Sequence, residues 1–317
     1  MSRHSIITTD TMLLSSRAVD VTVCETDLPL AAALGDDDIA IAFITSVRGA
    51  SYRPVGAAMV IAADGRTWGH LSSGCLDRDV TLHATRALTS NTSCCLRYGD
   101  GSPYMDIVLP CGGALDVTII PRPDRALLKG LQHELYARRP AALMVTANGR
   151  LSVPGPGAGL VLRILPQIRF LICGKGPEAV FFARIAQGAG YAVDLFAPDE
   201  ETLLSAGFGR PILNSGLLVD MEIDRFTAVA LFFHDHDYET DLLMAALCSE
   251  AFFIGAQGSR RAHSARCTAL AKRGVSDASI ARIAHPFGLI PSTRDPRSLA
   301  VSVLAHILDS AIALRMT

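Results

Sequence analysis

Nine residues, Leu171-Ile172-Cys173-Gly174-Lys175-Gly176-Pro177-Glu178-Ala179, place Gly-x-Gly-x-x-Ala between a short apolar run and a helical pattern. In that setting Gly174 allows a tight turn, Gly176 lets an anion approach the start of a helix, and Ala179 lets that helix pack closely on the strand. Downstream the same alternation recurs. Strand-like runs at 169–173, 191–196, 228–233 and 251–255 are interleaved with helical patterns at 178–189, 239–248 and 259–273. This order predicts a Rossmann-like, doubly wound parallel sheet over residues 168–317. Binding of NAD or NADP asks for a carboxylate at the end of the second strand, about 20 residues after the glycines. That position falls near Ala197, with Asp194 inside the strand and Asp199 beyond Pro198. An NAD(P)-dependent oxidoreductase is therefore the alternative reading of this half.

Upstream the pattern differs. Apolar runs at 39–47, 57–63 and 114–120 surround an amphipathic stretch at 76–88, which predicts a mixed α+β domain over residues 1–150. Between the halves, Pro154, Gly155, Pro156, Gly157, Gly159 and Pro166 crowd residues 151–167, read as a linker. The 317 residues suit two cores of roughly 150 residues each. Half the residues are hydrophobic, yet the apolar runs stop short of the roughly 18 that a membrane span needs. Residues 1–17 lack the long apolar core of a secretory leader, so a cytoplasmic protein is expected. A formal charge of −2 removes the electrostatic attraction on which nucleic-acid binding leans. The eight cysteines form no Cys-x-x-Cys pair, and most are expected to be free thiols in a reducing compartment.

Three further segments carry candidate chemistry. Cys75 precedes the helical stretch, where the positive helix end favours a thiolate, and Cys111 is followed by Gly112 and Gly113, which leave room for a ligand. His234-Asp235-His236-Asp237 follows a strand at the edge where open α/β sheets bind ligands. Gly258-Ser259-Arg260-Arg261 offers a capping serine followed by two arginines in a first helical turn. Cations there oppose the helix macrodipole unless an anion sits nearby, so the pair is a candidate phosphate or carboxylate site.

Several motifs together resemble the XdhC/CoxI family: Val47-Arg48-Gly49-Ala50-Ser51-Tyr52-Arg53-Pro54-Val55-Gly56, Gly69-His70-Leu71-Ser72-Ser73-Gly74-Cys75-Leu76-Asp77 and Cys111-Gly112-Gly113 in the first half. Gly174-Lys175-Gly176, His234-Asp235, residues 254–261 and Pro286-Phe287-Gly288-Leu289 follow in the second. Ser73 stands where the family usually has glycine, and Asp77 where it usually has glutamate. The resemblance implies a molybdenum cofactor (molybdopterin) carrier in preference to a turnover enzyme. Such a carrier holds the cofactor while a cysteine desulfurase supplies sulfur, then passes it to a molybdenum hydroxylase apoenzyme of the xanthine dehydrogenase class. A homodimer is expected. The cofactor would contact Cys75, Cys111, Gly112, Gly113, Gly174, Gly176, His234, Asp235, Gly258, Ser259, Arg260 and Arg261. Either Cys75 or Cys111 would meet molybdenum or sulfur.

Overall fold

The structure, a computed structural model, describes residues 18–74, 76–100, 102, 113–212, 222–233, 239–291 and 293–315. The chain divides into two units, one ending at Pro166 and the other beginning at Gln167.

The first unit runs β1 (Val19–Cys24), α1 (Leu30–Ala33), β2 (Ile39–Arg48), β3 (Ala58–Ala62), β4 (Thr67–Gly69), α2 (Asp77–Ser90), β5 (Cys94–Gly99), β6 (Ala114–Pro121), α3 (Arg125–Tyr136), β7 (Ala141–Thr146), β8 (Leu151–Ser152) and β9 (Gly159–Leu165). Strands β4-β3-β2-β6-β5 form an antiparallel sheet, and β1-β9-β7-β8 form a second sheet. Alternation along β2 sorts its side chains onto two faces. Ala40, Ala42 and Ile44 lie with Met59, Val117 and Ile119 under Val80, Ala84 and Leu88 of α2. Ile39, Ile41 and Phe43 face the other way, onto Leu160, Leu162 and Ile164 of β9 and Leu128, Leu131 and Leu135 of α3. Each buried Val, Leu, Ile, Met or Phe side chain among them contributes about 1.5–3 kcal/mol before conformational entropy is charged.

The linker expected at 151–167 is corrected by these contacts. β8 and β9 belong to the second sheet, and β9 pairs with both β1 and β7. The Pro/Gly-rich residues 153–158 only join β8 to β9, and Leu160, Leu162 and Ile164 are core residues.

The second unit runs β10 (Arg169–Gly174), α4 (Pro177–Gly188), β11 (Ala192–Ala197), α5 (Glu200–Ala206), β12 (Arg210–Pro211), β13 (Thr227–Phe232), α6 (Glu239–Leu247), β14 (Phe253–Ala256), α7 (Arg260–Lys272), α8 (Asp277–Ile280), β15 (Ile283–Ala284) and α9 (Pro296–Ile312). Its six strands are all parallel, in the order β12-β11-β10-β13-β14-β15. Counted from the first strand of this unit, that is 3-2-1-4-5-6, the order of the Rossmann fold. Phe170, Ile172 and Phe232 point to α4 and α9, while Leu171, Val229 and Leu231 point to α6 and α7. The sheet is thus doubly wound, as its strand–helix alternation predicts.

Candidate functional site

In the first unit, register brings several loops to one end of the five-stranded sheet. Arg48 pairs with Ala114, Gly99 pairs with Ala114, and Met59 pairs with Gly69. The end of β2, the start of β3, the ends of β4 and β5 and the start of β6 therefore lie together. Gly113 sits at this end, and a Cβ on it would collide with the Arg48 carbonyl oxygen and lie 3.3 Å from that of Ala50. Only glycine permits so close an approach. Cys75, Cys111 and Gly112 lie outside the described residues.

The loop before α2 is tied by one carboxylate. Asp77 Oδ1 accepts from the Leu71 amide (3.2 Å), the Ser72 amide (3.0 Å) and the Ser72 hydroxyl (3.0 Å). The Ser72 Oγ in turn accepts from the amides of Gly74 (3.0 Å) and Leu76 (3.2 Å), the neighbours of Cys75 in the chain. At Cys94, burial, with a smaller contribution from Cys95, pushes the thiol up to about 11.

In the second unit the sheet order reverses between β10 and β13, where open α/β sheets bind ligands. Gly174 ends β10 against β13, with room for a Cβ denied by the Phe232 carbonyl oxygen 2.5 Å away. Gly176 caps α4, but its amide donates to Thr202 Oγ1 at 2.8 Å. Thr202 is buried, its hydroxyl donates to Asp199 Oδ2 (3.1 Å), and Asp199 Oδ1 also accepts from the Thr202 amide (2.8 Å) as the cap of α5. The amide that would cradle a phosphate is thus engaged internally, and the carboxylate nearest to a ribose position serves as a cap.

Two strands along the sheet from β10, Ser259 caps α7 by accepting from the Ala262 amide at 3.3 Å, as its position predicts. Arg260 and Arg261 follow, both exposed. Behind them Arg266 and Glu239, each 2% exposed in its side chain, form an ion pair at 2.5 Å. Neither partner is marked out by sequence, because a charged residue inside a helical pattern gives no sign of burial. His234 and Asp235 lie outside the described residues. Among the described residues no group of three or more His, Cys, Asp or Glu side chains is placed to hold a metal ion, and no helix is long and apolar enough to cross a membrane.

The folded pattern is matched by known families. Residues 170–307 match the XdhC Rossmann domain, and residues 33–99 match the XdhC and CoxI family. The chain is also 32% identical over 272 residues to the molybdenum cofactor insertion chaperone PaoD of Escherichia coli, covering 83% of this chain and 80% of PaoD. The chain belongs to the XdhC/CoxI family. A second relative is a probable component of the xanthine dehydrogenase of Bacillus subtilis, 23% identical over 86% of this chain and 93% of its own. The crystal structure of a xanthine dehydrogenase from Bacillus halodurans superposes with a TM-score of 0.74 at 20% identity, covering 92% of this chain and 96% of that one, and so shares the fold. Within this XdhC/CoxI chain, Gly113 belongs to the first unit, and Gly174, Gly176, Gly258, Ser259, Arg260 and Arg261 lie at the carboxyl ends of β10 and β14 in the second.

Proposed function

We propose that this chain receives molybdenum cofactor as cargo, holds it while a cysteine desulfurase supplies the terminal sulfur, and hands it to a xanthine dehydrogenase-type apoenzyme. The observation that carries this reading is its 32% identity, over four-fifths of either chain, to a protein named as a molybdenum cofactor insertion chaperone. The residues fit such cargo. Arg260 and Arg261 offer guanidinium forks to a phosphate at the start of α7, where backbone amides also point outward. Cys75 and Cys111 offer soft thiolates to molybdenum or sulfur. We place the protein in the cytoplasm, where free thiols persist, and expect it to act as a homodimer.

Hydride transfer from NAD(P) finds less support: Thr202 engages the Gly176 amide and Asp199 is spent on capping. Anaerobic titration of the purified chain with released molybdenum cofactor tests the carrier reading. Saturable, near-stoichiometric binding is expected, followed by activation of a cofactor-free hydroxylase. Absence of saturable binding overturns the proposal.

A further inference from the structure

We propose that the Gln257 carboxamide reads a lactam edge, an N–H beside a C=O on a flat heterocycle, at the ligand-binding end of the parallel sheet. This rests on the reading above that the cargo is a pterin. Gln257 follows β14, the strand bonded to β13 at the reversal of strand order. Its main chain is held from both sides. The amide donates to the Leu231 carbonyl at 2.9 Å, and the carbonyl accepts from Arg266 Nη2 at 2.8 Å.

Arg266 is itself fixed. Its Nε donates to Glu239 Oε1 at 2.8 Å, inside a pair that water scarcely reaches. The approach depends on Gly258, whose missing Cβ would lie 3.3 Å from Arg266 Nη2. Gln257 therefore cannot slide away from its position without losing main-chain bonds to Leu231 and to an arginine held in a buried ion pair. Yet its side-chain Oε1 is buried and has no hydrogen-bond partner among the described residues.

A polar atom that is anchored, enclosed and unpaired costs stability, and folded proteins rarely retain one without a use. A carboxamide carries one acceptor and one donor group side by side. Half a turn about its last bond exchanges them, so it matches an adjacent N–H and C=O in either setting. Pterin and guanine rings present that pair on a lactam edge, and methylating the ring nitrogen, as in 1-methylguanosine, removes its donor. The Arg266–Glu239 pair supports the main chain of Gln257 at the carboxyl end of β14.

The test uses the full chain and neopterin, a pterin without phosphate, followed by its fluorescence, with guanosine and 1-methylguanosine, which lacks the ring N–H, as competitors. The expected result is saturable neopterin binding displaced by guanosine and not by 1-methylguanosine. Gln257→Met should weaken it about tenfold while melting no lower than the parent, because the unpaired acceptor is gone. Gln257→Glu should weaken it too, having lost the donor. No neopterin binding by the parent, unchanged binding by Gln257→Met, tighter binding by Gln257→Glu, or a melting temperature that falls in step with binding overturns the assignment. Should Gln257→Met retain molybdenum cofactor as well as the parent, the inference fails and the carrier reading stands. If neopterin binds through Gln257 but molybdenum cofactor does not bind, the carrier reading fails alone.

Discussion

Within α7, Arg266 is buried against Glu239, whereas Arg260 and Arg261 stand exposed in the first turn, against the macrodipole. If the exposed two hold the phosphate of the cargo, Arg260→Gln and Arg261→Gln should melt no lower than the parent yet bind molybdenum cofactor roughly tenfold or more weakly, since a charge-assisted contact is worth about 1.5–3 kcal/mol. Exposed Arg86 is the control to substitute in parallel; Arg282 is not, because it donates to the carbonyls of Leu247, Ser249 and Ala251 at the end of α6. Equal binding by both variants and the control would make the pair a solvated surface. For cysteine the comparison is Cys111→Ala against Cys94→Ala. Cys94 titrates near 11, so at pH 8 only about one thiol in a thousand is ionised there and its loss should leave sulfuration unchanged. Cys111→Ala should lose cofactor retention, read by bound molybdenum alongside thermal unfolding; equal loss in both counts against a ligand role.

Among elements, the link from α5 to the glycine turn decides what the Rossmann half can hold. Thr202→Val removes the acceptor of the Gly176 amide and the donor to Asp199, and should lower stability by about 1–3 kcal/mol in urea unfolding. Freed of that bond, the turn still lacks a carboxylate aimed at a ribose, so NAD should bind neither parent nor variant in calorimetry. Detectable binding by the parent would reverse this account. The strand, turn and helix at 169–189 were legible because glycine spacing and apolar period agree there. The role of Asp199 was not, since a carboxylate after a strand reads alike whether it caps a helix or meets a sugar. β9 was missed for a different reason. Its apolar run, Gly159–Leu165, abuts the breakers at 153–158, and only pairing with β1 and β7 shows that the breakers end before it. Gln257 gave no sequence signal either, because its meaning lies in its neighbours' bonds.

Across the whole chain, two histidines of the second unit tie stability to pH. Burial, then His285 and Arg266, lowers the His263 pKa, and its ring stacks on that of His285 at 4.0 Å. Burial also lowers that of His306, whose Nδ1 accepts from the Gly288 amide at 3.3 Å. Below the ordinary value of about 6.5 the unfolded chain binds more protons than the folded one, so stability is fully present above it and declines as pH falls toward the folded values. Melting temperatures should therefore drop between about pH 7 and pH 5, and His306→Gln should flatten part of that slope. A parent curve that is level over this range would refute the sign.

The pairing of Val19–Cys24 with Leu160–Leu165 has a further consequence during synthesis. At roughly 5–20 residues per second, the first strand leaves the ribosome on the order of ten seconds before its partner exists. Throughout that interval it is an unpaired strand with Val21 and Val23 uncovered, open to joining another nascent chain. A protein proposed to shelter a fragile cargo thus begins life needing shelter itself, and its yield in a cell should depend on translation speed and on holdases at the tunnel exit more than on the stability of the finished fold.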